Sequence, residues 1–302
     1  MISKAKFEEA YQAIVRESKP ILEAHKQKAI QEASKEVVIV FGLILFGFFM
    51  YNTTKQAYWF MLITLSIMIY IIGTSFRKKP SAQQTYRREY KEKVVAKLLS
   101  YFDESLEYIP AGGIPSSIYY SAGFQTYDRY YAEDFIKGKI NEKYPFGMSE
   151  LLIQSESTDE DGHTTYTTEF RGLFSMIENS KNIHSTIYIK KNQRFGRKSN
   201  FRGEKLVPLD SPEFEKTFDI YSNSNIVTVQ ILTAEIMQML NTMYQHMNYE
   251  LTIMDNMIFM RFALKENLFE ASYGKQVIKK EKLLYYCQII NFIMELFLKC
   301  AD

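Results

Sequence analysis

Glu133 and Asp134 are adjacent carboxylates, a pairing that can supply an acid and a base for proton transfer or an oxygen directed at a metal. On a loop, such a pair more commonly serves as a solvated or helix-capping turn, and the sequence gives these two a loop setting. Other reactive side chains are dispersed. His25, His163, His184 and His246 do not group, and Cys287 and Cys300 lie thirteen residues apart, so no metal-ligand spacing emerges. Cys287 sits in an apolar run beside Tyr285 and Tyr286, the setting of a core thiol rather than a nucleophile. Asp159, Glu160 and Asp161 with Gly162 miss the ligand register of a calcium loop and read as an exposed turn. The G-x-S-x-G elbow, the phosphate-binding G-x-x-x-x-G-K-[ST] loop and the G-x-G-x-x-G turn are all missing. The sequence therefore assigns no catalytic residue, cofactor or metal.

A binding role has a better local candidate. Lys190, Lys191, Arg194, Arg197, Lys198, Arg202 and Lys205 face only Glu204 among acids, with Phe195 and Phe201 interleaved. The run reads first as a solvated loop; cations with aromatics also suit anionic lipid headgroups, an acidic protein or nucleic acid. With 37 Lys and Arg against 35 Asp and Glu, the formal charge is only +2, so a whole-protein footprint for nucleic acid is excluded and none is expected as partner.

The elements that would position these residues begin with two apolar stretches. Residues 37–51, VVIVFGLILFGFFMY, and 57–76, AYWFMLITLSIMIYIIGTSF, carry no charge. At 1.5 Å rise per residue they reach roughly 22 and 30 Å, against a hydrocarbon core of about 30 Å. Eleven residues of the first are Val, Ile, Leu or Phe. At about 0.3 to 0.6 kcal/mol each they favour insertion by roughly 3 to 7 kcal/mol. The short polar link between the stretches predicts a transmembrane helical hairpin spanning residues 37–76. Lys19, Lys26, Lys28 and Lys35 precede it; Arg77, Lys78, Lys79, Arg87, Arg88, Lys91 and Lys93 follow it; the link holds Lys55 alone. Eleven cations against one place both termini in the cytoplasm, at the inner membrane. The mostly polar residues ahead of the first stretch argue against a cleaved secretory leader.

Residues 1–36 carry Phe7, Tyr11, Ile14, Val15, Ile21 and Leu22 at near-helical spacing, with Pro20 expected to kink or divide the helix. Residues 77–107 form a basic juxtamembrane helix; Arg77, Lys78, Lys79, Arg87 and Arg88 are suited to anionic headgroups, and Val94, Val95, Leu98, Leu99 and Phe102 mark an apolar face. Residues 108–302 change texture. Strands are expected at 151–155, 164–170, 174–177, 186–189, 251–254 and 257–262, with turns at 159–162 and 255–256, and helices at 234–247 and 281–300. Ser211-Pro212-Glu213 reads as a helix start, with Phe214 and Phe218 facing the core. Strands without β-α-β alternation predict an α+β domain with a largely antiparallel sheet.

Tyr108, Pro110, Gly113 and Ile114, the run Tyr131-Ala132-Glu133-Asp134-Phe135-Ile136-Lys137-Gly138, and Phe146-Gly147-Met148-Ser149-Glu150 form an ordered set of motifs. Phe170-Arg171-Gly172-Leu173-Phe174 and the block Leu209 to Ser222 continue it. The chain resembles the bacterial DUF3137 family of membrane proteins of unknown function. That resemblance implies a membrane-anchored layout and carries no activity or catalytic residues. The expected role is a membrane-anchored cytoplasmic binding or scaffolding module that meets anionic phospholipid or a protein partner. The alternatives are a tethered hydrolase-like enzyme around Glu133 and Asp134, or an accessory subunit of a membrane complex.

Overall fold

The computed structural model describes residues 2–54, 58–75, 81–179, 182–193 and 196–301. Two compact units share the chain: residues 12–95 with 270–279, and residues 1–11 with 96–269 and 280–302.

The first of these units is helical. Helix α1 (Lys4–Thr54) enters it at Gln12, and α2 (Tyr58–Ser75), α3 (Ala82–Tyr90) and a single π turn (Lys91–Val95) complete it. Ile14, Ser18, Leu22 and Ala29 are buried at four- and seven-residue spacing along α1, as are Tyr86, Tyr90 and Val94 at four-residue spacing along the α3 segment. Polar contacts fix their alignment. Ser18 Oγ donates to the Lys93 carbonyl (3.1 Å), and Glu32 accepts from the Ala82 N–H (3.0 Å). A capping box of Ser81 with Gln84 starts α3. Tyr86 donates to the Ser272 carbonyl (2.6 Å), and Lys91 pairs with Glu270 at 3.3 Å.

Pro20 does not end the helix: α1 runs unbroken through it, because Ser18 and Leu22 are anchored on either side. Residues 4–36 and the first apolar stretch are therefore parts of one element. The transmembrane hairpin expected from the sequence is not supported. Near the N-terminus α1 is long and apolar enough to cross a bilayer, whereas the described side chains of α2, Tyr58 to Tyr70, make a shorter apolar helix. The two pack side by side. Phe46 meets Trp59 edge-on at 6.5 Å, Tyr51 meets Phe60 at 5.0 Å, and Gly47 leaves the space that Ile63 occupies.

The second unit is built on a sheet. After α4 (Ala96–Ser100) come β1 (Glu107–Ile109), α5 (Ser116–Ser121), β2 (Arg129–Ile140), β3 (Tyr144–Thr158), β4 (Thr164–Glu178) and β5 (Thr186–Lys191). Then follow β6 (Asn200–Phe201), β7 (Glu204–Leu206), α6 (Pro212–Thr217), β8 (Phe218–Ser222), α7 (Asn225–Ile231), α8 (Ala234–Tyr244), β9 (Tyr249–Met254), β10 (Met257–Ala263) and α9 (Lys280–Ala301). The ten strands form one sheet in the order β1-β2-β3-β4-β10-β9-β5-β8-β7-β6, and the pairings are antiparallel. The α+β expectation holds.

Both faces of the sheet centre are covered. On one, Leu151, Ile153, Phe174 and Phe259 pack with Tyr119 and Phe124 from the α5 region. On the other, Phe146, Tyr249 and Phe262 meet Phe297 and Phe292 of α9. This explains why α9, although long and apolar enough to resemble a span, is more than half buried inside the unit. The start of α1 is tied to α9 by paired hydrogen bonds between Asn291 and the backbone of Ile2 (2.9 and 2.8 Å).

Candidate functional site

Glu133 and Asp134 lie in strand β2, not in a loop. The ladder between β2 and β3 runs Glu133↔Glu150 and then slips at a β-bulge before resuming at Ile136↔Met148. Register alone sets Glu133 and Glu150 directly opposite each other, and like charges in that relation destabilise a sheet. The bulge changes the aim of Asp134, which has a left-handed φ of 57°, with its N–H held by the Pro110 carbonyl at 3.0 Å. As a result one carboxylate oxygen from each of Glu133, Asp134 and Glu150 falls within 4.8 Å of the others.

Their surroundings differ. Asp134 is fully buried and accepts a hydrogen bond from the Tyr108 hydroxyl of β1. Glu133 is half-buried and receives the Asn267 side-chain amide at 3.3 Å. Glu150 is 4% exposed. Its Oε1 accepts the backbone N–H groups of Leu268 and, at 3.2 Å, Phe269, whereas Oε2 is buried with no hydrogen-bond partner. Burial, with the negative charge of Asp134 next, pushes the Glu150 carboxyl up to about 8, against the two backbone N–H bonds that favour ionisation. Glu133, Glu150 and Asn267 line a cavity of about 620 Å³ whose walls also include Tyr130, Tyr131 and Gln154.

The sequence pointed to Glu133 and Asp134 and missed Glu150 as their partner. Its signal was available: Phe146, Met148, Glu150 and Leu152 share one face of β3, and a single carboxylate interrupts that otherwise apolar series.

The basic segment is not one loop. Lys190 and Lys191 end β5, while Arg202 and Gly203, both at positive φ, form the tight turn of the β6–β7 hairpin. Lys190 pairs with Glu250 at 3.2 Å and sits over the Phe201 ring at 4.4 Å. Burial lowers its pKa, and Glu250 opposes that shift. Arg197 pairs with buried Asp219 at 2.7 Å, and Arg202 covers Tyr120 at 5.0 Å. Lys191, Lys198 and Lys205 are exposed. Glu250 also holds Arg261 at 2.5 Å, whose guanidinium lies 4.8 Å from the Phe124 ring centre and donates to the Tyr119 hydroxyl. Of the juxtamembrane cations, Arg87 faces Glu270 at 3.7 Å and Arg88 faces Glu92 at 3.8 Å. Arg77, Lys78, Lys79 and Arg194 lie outside the described residues. Cys287 is a buried core thiol, pushed up to about 12 by burial.

Among solved structures, the crystal structure of the mycobacterial trehalose monomycolate transport factor A, TtfA, is similar with a TM-score of 0.39 and 8% identity, over 72% of this chain and 98% of that one. No curated protein matches the chain. The family described as "Protein of unknown function (DUF3137)" matches residues 168–299, a stretch that includes Asn267 and lies C-terminal to the three carboxylates. That match takes in Phe170 to Phe174 and Leu209 to Ser222, two of the motifs that carry the resemblance to DUF3137, and supports it over those residues.

Proposed function

We propose that the protein is a membrane-anchored binding module, held at the inner face of the membrane by α1 and α2, with its sheet-based unit in the cytoplasm. The observation that carries this reading is an exposed apolar surface along α1 and α2. Val37, Phe48 and Met61 are 68%, 63% and 67% exposed, and Val38, Phe41, Leu45, Phe49 and Ile69 are exposed with them. Each such side chain gains about 1.5 to 3 kcal/mol on leaving water. Soluble monomers rarely leave so much contiguous apolar surface wet, whereas lipid solvates it directly. The basic residues flanking the stretches favour an inward orientation. The exposed ammonium groups of Lys191, Lys198 and Lys205 suit anionic phospholipid or an acidic protein surface.

The test is fractionation without detergent, combined with topology labelling. Intact protein should remain in the carbonate-washed membrane pellet, and Thr53→Cys, in a chain with Cys287→Ser and Cys300→Ser, should react with an impermeant maleimide from outside the spheroplast. Recovery in the supernatant would overturn the reading, and labelling only after lysis would reverse the orientation.

A further inference from the structure

The three carboxylates of β2 and β3 form a group that the sheet itself does not explain. Direct cross-strand pairing of Glu133 with Glu150 is a repulsive register, and a bulge then adds Asp134 to the same cluster. A sheet can avoid such a cost with one neutral substitution. The second, independent observation is the Glu150 side chain. It is 4% exposed, its Oε1 accepts from two backbone N–H groups, and its Oε2 is buried without a hydrogen-bond partner among the described residues. A buried carboxylate oxygen left unsatisfied is costly, and native structures provide such atoms with a donor or a cation. The cavity beside it supplies a path for entry and room for water, since Glu133 and Glu150 both line it.

From this geometry we infer a divalent cation site formed by Glu133, Asp134 and Glu150, open to the 620 Å³ cavity. The donors are all oxygens, so the site suits the hard class, Ca²⁺, Mg²⁺ or Mn²⁺, and lacks the nitrogen or sulfur that zinc prefers. A dication converts a repulsive cross-strand pair into a shared ligand set and ties β2 to β3 at the bulge. Water from the cavity completes its coordination shell. Asn267, which holds Glu133 at 3.3 Å, orients that ligand from the segment after β10.

The experiment uses the full chain, solubilised in detergent and stripped with a chelator. Mn²⁺ is titrated and followed by electron paramagnetic resonance and calorimetry, with Ca²⁺ and Mg²⁺ as competitors. One Mn²⁺ per chain should bind saturably and be displaced by Ca²⁺ or Mg²⁺. Glu150→Gln and Glu133→Gln should each weaken binding by about tenfold or more, because affinity for hard cations follows ligand charge. Glu133 is half-buried and keeps its shape as Gln, so this variant carries the decision if Glu150→Gln does not fold, with circular dichroism as the check. Absence of saturable binding, or equal affinity in the wild type and Glu133→Gln, would overturn the site. The exposed turn acids Asp159, Glu160 and Asp161 serve as a control: their replacement with Asn, Gln and Asn should leave the affinity unchanged, and loss of binding there would relocate the ion and refute the assignment.

Discussion

Glu150 concentrates the electrostatic tension of the folded unit in one side chain. Its carboxyl moves from an ordinary 4.5 to about 8 in the fold, through burial first and the charge of Asp134 second. Between those values the folded state holds a proton that the unfolded chain has released, so stability falls as pH rises through this window and is fullest below 4.5. In chelator-treated protein, thermal unfolding followed from pH 4.5 to 8 should therefore show a declining midpoint. Glu150→Gln cannot ionise and should remove most of that decline. An identical slope in the variant would show that burial of this carboxyl is not what makes stability pH-dependent.

At the scale of the element, what the sequence disclosed and what it hid follow the same rule. The β9–β10 hairpin is legible because two short, mostly apolar runs, Leu251 to Met254 and Met257 to Phe262, flank the polar pair Asp255 and Asn256, and Asp255 adopts φ 51° in the turn. Helices α8 and α9 are legible within a few residues from their helical periodicity. Strand β2 was not legible, since its bulge at Asp134 breaks the two-residue alternation and made Glu133 and Asp134 resemble a loop. The sequence pattern separates 164–170 from 174–177, whereas the two belong to one strand, β4, and Gly172 accounts for the apparent break. A Cβ at Gly172 would lie 1.7 Å from the Phe262 carbonyl oxygen, so this glycine marks the close approach of β10 rather than a turn. Gly172→Ala should force β4 and β10 apart and destabilise the unit by about 1 to 3 kcal/mol, the usual cost of overpacking. A lowered unfolding midpoint in urea, with reduced amide protection along both strands, is the expected result; unchanged stability would mean the strands tolerate a wider spacing at this point.

For the whole molecule, the decisive quantity is the balance between lipid and water along α1. Its residues 37–51 gain roughly 3 to 7 kcal/mol on insertion from eleven strongly apolar side chains. Arginine near a span's centre costs about 2.5 to 3.5 kcal/mol, so two of them cost about 5 to 7 kcal/mol and offset most or all of that gain. Phe41 and Leu45 are exposed and lie four residues apart on one side of α1. The double replacement Phe41→Arg with Leu45→Arg should therefore release protein from the carbonate-washed membrane pellet or abolish its accumulation, while Phe41→Ala with Leu45→Ala should stay in the pellet. The contrast separates loss of bulk from charge in lipid, because both variants delete the same large side chains. If the double arginine chain remained as firmly embedded as the alanine chain, residues 37–51 would not be supplying the anchor. The exposed surface on α1 would then have to be covered by protein instead.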